Sequence, residues 1–137
     1  MRSIVCLIQG EKSIGAAISE ARRITLEALQ SVCTYRQWFA HAVHVRTTHV
    51  HAVIGGDTVA ERMLSDFKAY ATRSLRRAFP DTQRRRYWAH HGSTRYLWNE
   101  VCLKAAIEYV LNGQGERMAH YPEARTRSLT LPAQFQR

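Results

Sequence analysis

The sequence predicts an α+β domain of the ferredoxin-like, split βαβ kind, an antiparallel sheet with helices packed on one face. Three observations carry this. Runs rich in β-branched, aromatic and apolar residues at 3–8, 37–45 and 49–54 alternate with stretches of helical periodicity at 14–32 and 58–79. Only Arg46-Thr47-Thr48 separates the second run from the third, which is hairpin spacing. A last extended segment at 87–90 is followed by a further periodic stretch at 99–112. The resulting order is strand, helix, strand, strand, helix, strand, helix.

Ile4-Val5-Cys6-Leu7-Ile8 forms the first strand, which Gly10 ends. In the first helix Ile14, Ile18, Ala21, Thr25, Ala28, Leu29 and Val32 recur at helical spacing, with Glu20, Arg22, Arg23 and Glu27 on other faces. Gln37 to Val45 makes the second strand and His49 to Ile54 its hairpin partner, broken by Gly55-Gly56-Asp57. Thr58 with Glu61 has the spacing of a capping box and opens a helix reaching Phe79. Its apolar stripe is Val59, Met63, Phe67, Tyr70 and Leu75, and Pro80-Asp81 stops it. Tyr87 to His90 reads as a strand, His91-Gly92-Ser93 as a turn, and Arg95 to Trp98 as a short extended piece. Asn99 caps a helix that runs to Asn112 before Gly113 and Gly115, with Leu103, Ala106, Ile107, Val110 and Leu111 as its stripe. From His120 onward Pro122, Pro132 and mixed charge leave little periodicity, so residues 1–120 form one domain and 121–137 a tail that is loosely ordered or wraps the surface.

Composition narrows the class. At 45% hydrophobic and 23% charged residues the chain is an ordinary globular protein, and no apolar run approaches the roughly 20 residues that span a membrane. The cysteines Cys6, Cys33 and Cys102 are scattered and make no CxxC pair, so they read as reduced thiols of a cytoplasmic protein, not a disulfide framework or zinc site. The net charge of +9 suits a polyanionic partner, and nucleic acid is the commonest. Lys68, Arg73, Arg76 and Arg77 on the second helix, Arg84-Arg85-Arg86 after it, and Arg95 form the candidate phosphate-tracking surface.

The stretch that carries chemistry is Thr47-Thr48-His49-Val50-His51-Ala52-Val53-Ile54. Alternate side chains of a strand share a face, so His49 and His51 project together and can give one divalent metal two ligands, leaving positions open for substrate oxygens. An isolated pair of this kind also occurs on the polar face of any half-buried strand. Tyr109 lies about 120° round the last helix from Leu103, off the apolar stripe. It is either a surface residue or one aimed into a cleft beside the sheet. A phenol is a competent nucleophile toward phosphorus when the phosphate is polarised.

In this order and spacing, Thr48-His49-Val50-His51-Ala52-Val53-Ile54, His91-Gly92-Ser93-Thr94-Arg95-Tyr96-Leu97-Trp98 and Glu108-Tyr109-Val110-Leu111-Asn112-Gly113-Gln114-Gly115 resemble the single-tyrosine HUH transposases. That family includes small insertion-sequence transposases and REP-associated tyrosine transposases. The resemblance covers residues 38–114. It implies that His49 and His51 bind Mg²⁺ or Mn²⁺ at the scissile phosphate of single-stranded DNA with hairpin ends. It also implies that Tyr109 attacks that phosphorus, giving a 5′-phosphotyrosine and a free 3′-OH, and that no ATP is needed. A third metal ligand follows the tyrosine in the family; Gln114 is the match here, with Asn112 second. The family contains both homodimers and monomers, and the resemblance places the protein at the bacterial nucleoid. One departure is the region before Gly15, which reads poorly as the family's usual first strand.

The remaining histidines and aromatics have plain structural readings. His90-His91 are adjacent in a strand and face opposite ways, and His41 and His44 differ in parity, so both pairs read as core or surface histidines. Tyr70 lies on an apolar stripe, and Trp38, Trp88 and Trp98 read as core anchors, although an exposed aromatic can stack on an unpaired base. Two further functions fit the sequence: a non-catalytic hairpin DNA-binding module, and an RNA-binding ferredoxin-like domain with base-stacking sheet aromatics.

Overall fold

The computed structural model describes residues 4–12, 18–46, 49–80, 87–113 and 118–122, with 4–12, 18 and 89–91 described by their backbone. In chain order the elements are β1 (Ile4–Lys12), α1 (Ile18–Arg36), β2 (Phe39–Val45), β3 (His49–Gly56), α2 (Ala60–Ala78), β4 (Trp88–Tyr96), α3 (Glu100–Asn112) and β5 (Ala119–Tyr121). All five strands join one antiparallel sheet in the order β4-β1-β3-β2-β5. The first four strands follow the predicted split βαβ arrangement, and the fold is α+β as expected.

Three local readings are corrected by pairing. Gly10 does not end β1; the strand continues to Lys12 between β3 and β4, with a register shift between Gly10 and Lys12 where it pairs with β4. A glycine in a strand interior commonly marks such an irregularity. The region before Gly15 therefore supplies a central strand. Nor do His91-Gly92-Ser93 form a turn, since Gly92 and Ser93 pair with Gly10 and Gln9 and β4 runs unbroken. The supposed tail contributes β5, where Tyr121, His120 and Ala119 pair with Val43, His44 and Val45 of β2. Residues 123–137 lie outside the described residues.

The sheet separates two cores. Toward α1 and α2 it presents Val43, Val45, Val50, Ala52 and Ile54, which pack with Leu29, Val32, Met63, Phe67 and Leu75. Ala21, Thr25, Ala28, Leu29 and Val32 of the predicted α1 stripe are buried, and the Thr25 hydroxyl donates to Ala21 O at 2.8 Å. The helix runs past the predicted end at 32 to Arg36, residues 14–17 lying outside the described residues, and Gln37, at φ 61°, closes it in the left-handed conformation while Trp38 N donates to Cys33 O. Free Cys33 is buried, which pushes its thiol up to about 12 and makes it an unreactive packing group.

The capping box of α2 does not form. Val59 is the N-cap and is exposed, with no side-chain cap. Thr58 Oγ1 instead accepts from Trp38 Nε1 at 3.1 Å, and Ala60 N donates to the Tyr96 hydroxyl at 3.2 Å. A tertiary donor has taken the local acceptor, and a tertiary acceptor has replaced it. The buried stripe is Ala60, Met63, Phe67, Ala71 and Leu75.

Gly56 ends β3 directly under Trp38, where a Cβ would lie 2.5 Å from Trp38 Cδ1 and 3.0 Å from Met63 Cε. Trp38 is itself wedged edge-on against Phe67. Gly56→Ala is expected to cost about 1–3 kcal/mol by overpacking, read as a lower urea midpoint at constant m-value.

His41 is the extra residue of a bulge between Ala40 and Ala42, which voids the parity argument made from the sequence. It is buried beside Phe39, and burial pushes its imidazole down to about 4. As pH falls below the ordinary value of 6.5, the unfolded chain takes up this proton before the folded one. Stability from this site is thus complete above about 6.5 and lost toward about 4, by at most about 3 kcal/mol. Urea unfolding followed from pH 4 to 7 should show that loss, with a flatter slope in His41→Gln. An unchanged slope removes His41 as the cause.

Candidate active site

The hairpin between β2 and β3 closes where Arg46 N donates to His49 O at 2.8 Å, so His49 opens β3. Counting from that turn, Val45 pairs with Val50 and His44 with His51. His49 is half-buried and His51 buried, on the sheet face opposite α1 and α2. Their rings stack 6.1 Å apart at 16°, as the strand alternation predicts. In the ladder with β1, Gln9 stands opposite His51 and Glu11 opposite His49.

That face is covered in part by α3. Asn99 Oδ1 accepts from Cys102 N at 2.8 Å, the predicted N-cap. Leu103, Ala106, Ile107 and Val110 then pack on Ala42, Val53 and Leu97. Tyr109, off this stripe and 48% exposed, meets His51 edge-on with ring centroids 6.0 Å apart at 86°. Tyr109 is thus at the surface and at the same time in ring contact with His51. Gly113 makes room for it: Gly113 N donates to Tyr109 O at 2.9 Å, and a Cβ there would stand 3.0 Å from Tyr109 Cδ2.

A residue that sequence reasoning assigned no role fixes this geometry. His44 is fully buried, its Nδ1–H donates to Val110 O at 2.9 Å, and its Nε2 accepts from Met118 N at 2.9 Å. A carbonyl only accepts and an amide N–H only donates, so the ring is the neutral Nδ1–H tautomer. Val110 O is among the last carbonyls of α3, which have no partner within the helix. His44 therefore ties the residue next to Tyr109 to β2 and to the approach to β5. The available signal was arithmetic: a hairpin closed at Arg46 and His49 must pair His44 with His51.

Two imidazoles on one strand face fit a divalent cation that draws its other ligands from oxygen. Among the described residues no group of three or more His, Cys, Asp or Glu could hold a metal. Gln114 lies outside the described residues, and the Asn112 amide donates to Glu108 Oε1 at 3.0 Å.

The basic residues of α2 occupy the other layer, whereas Arg95, opposite Leu7 and through it Val53, shares the sheet face of the histidines. Lys68 is partly buried, which lowers its ammonium pKa, and Arg73 lies 4.7 Å over the Tyr70 ring. Arg76 and Arg77 are exposed in the last turn of α2, and Arg95 is exposed on β4. Arg84, Arg85 and Arg86 lie outside the described residues. Since α2 leads from the far end of β3 to Trp88, the partner of Lys12, its terminal arginines reach the same end of the sheet as His49. The site and the basic helix are thus joined around one sheet end, not on one face.

The fold and site define a class: a split βαβ domain with a paired-histidine strand facing a tyrosine helix. Among solved structures this fold is shared with a REP-associated tyrosine transposase bound to a REP hairpin, at TM-score 0.63 and 12% identity over 81% of this chain. This chain spans 66% of that protein's length. The fold is shared also with a protein from Deinococcus radiodurans R1 named provisionally as a transposase, at TM-score 0.55 and 14% identity over 87% of this chain and 95% of that one. No family model and no curated protein matches the sequence. Among the described residues no helix is long and apolar enough to cross a membrane.

Proposed function

We propose that this chain is a transposase that nicks and rejoins single-stranded DNA beside hairpins, with Tyr109 as nucleophile. The observation that carries the reading is the Tyr109 ring against His51, itself stacked on His49, within a single chain. The shared fold with a hairpin-bound tyrosine transposase supports the substrate class.

Tyr109 Oη attacks the scissile phosphorus; the Oη–P bond forms and the P–O3′ bond breaks. The products are a 5′-phosphotyrosine and a 3′-oxygen that takes up a proton as the phenol loses its own. Attack by a 3′-OH reverses the step, and the ester bond is conserved throughout. His49 and His51 would hold Mg²⁺ or Mn²⁺, which when bound supplies Lewis acidity toward the phosphate; Gln114 remains the proposed third ligand. Gly113 and His44 hold the phenol in position, and Lys68, Arg73, Arg76, Arg77 and Arg95, with Arg84, Arg85 and Arg86, attract the DNA backbone. Tyr109 meets His51 within one copy, which supports cleavage in cis.

Labelled single-stranded hairpin DNA incubated with the protein and Mn²⁺ should give an adduct that survives a denaturing gel and disappears with chelator. Retained binding with no adduct across a broad hairpin panel makes the chain a DNA-binding module instead.

A further inference from the structure

We infer that Trp98, stacked on Tyr96, is a docking platform for one unpaired base of the DNA, at the opposite end of α3 from Tyr109. The inference rests on the reading of the chain as a DNA-binding protein.

Three tryptophans occur, and two are buried as expected: Trp38 is 7% and Trp88 8% exposed. Trp98 is 76% exposed, which corrects its reading as a core anchor. Its ring is nonetheless held. It stacks on Tyr96 at 5.5 Å between centroids and 25° between planes. Tyr96 is partly buried against the α1–α2 core, and its hydroxyl accepts from Ala60 N at the start of α2. Asn99, the next residue, is locked as the cap of α3. An aromatic plane fixed from behind and open in front loses little freedom when something stacks on it.

The size of the patch selects the occupant. The exposed apolar residues at the start of α3 are Trp98 and Val101, 78% exposed, and Asn99 and Glu100 between them are exposed and polar. One indole and one isopropyl group fall far short of the roughly 800 Å² per partner that a stable protein interface buries. They match one nucleobase, whose π face extends the Tyr96–Trp98 stack whatever its identity. A net charge of +9 favours the polyanion that carries such bases. From Trp98 to Tyr109 is about 15 Å along the axis of α3, so the base lies at least about four or five nucleotides from the scissile phosphate at the ~3.4 Å rise of a stacked strand.

The test compares a hairpin bearing a single-stranded extension with the same hairpin made blunt. Trp98 is the one exposed tryptophan, so the extended DNA should quench its fluorescence and the blunt DNA should not. Trp98→Ala should weaken binding of the extended hairpin about 5- to 150-fold, leave the blunt hairpin unchanged, and be largely rescued by Trp98→Phe. Equal loss on both DNAs, no loss on either, or a wild-type dimer that Trp98→Ala dissociates overturns the platform. Adduct formation scored in the same samples separates the two ideas. An adduct indifferent to Trp98 rejects the platform alone, a Trp98-dependent complex without adduct rejects the catalytic reading alone, and no DNA binding at all rejects both.

Discussion

Tyr109→Phe is expected to abolish the covalent protein–DNA adduct, a loss on the order of 10³-fold or more in strand cleavage, because no other group takes over a missing nucleophile at this position. The fold should be nearly untouched. Tyr109 is 48% exposed and its hydroxyl is all that the change removes, so the ring keeps its edge contact with His51 and its fit against Gly113. Stability should stay within about 0.5 kcal/mol of wild type, and hairpin affinity should persist through the arginines of α2. His49→Ala is the companion variant, keeping the phenol and halving the imidazole pair, and its adduct should be lost as well. The readouts are a denaturing gel for the adduct, a thermal melt for the fold and a gel shift for binding. An adduct surviving in Tyr109→Phe assigns the nucleophile elsewhere, and Tyr70, partly buried under Arg73, is the next phenol to replace.

His44→Ala should be the most destabilising single change at the site, by about 3–5 kcal/mol. His44 is 0% exposed and bonded at both ring nitrogens. Truncation leaves a cavity and strips Val110 O and Met118 N of their partners in one step. The consequences extend beyond global stability. Val110 is the neighbour of Tyr109, and Met118 leads into β5, so the C-terminal turn of α3 and the outer pairing of β2 with β5 should loosen together. Urea denaturation gives the global figure, and amide exchange at residues 110–121 gives the local one. A change below about 1 kcal/mol, with unaltered exchange, would show that the clamp does not hold α3 in place.

Much of the architecture can be read from short-range pattern. The hairpin spacing at Arg46–His49, the shared face of His49 and His51, the Asn99 cap and the Leu103–Ala106–Ile107–Val110 stripe all hold in the structure. Each depends on residues within a few positions of one another, where the period of 2 or 3.6 is itself the signal. The local readings that failed were overruled from a distance. Gly10 and Gly92 read as breaks until they pair with each other, and Thr58 reads as a cap until Trp38 claims its hydroxyl. Trp98 reads as core because indoles are usually buried, yet Leu97 fills the space under α3 and Trp98 is turned out over Tyr96.

By itself, then, the sequence determined the order of the first seven elements, the α+β class, the basic character and the parity of the histidine pair. Only the tertiary structure decided that α3 crosses to the face opposite α1 and α2, and that this brings Tyr109 to His51. The physical reason is the sheet: inserting β1 between β3 and β4 gives both faces an apolar surface to bury, and no period along the chain encodes which face a late helix covers.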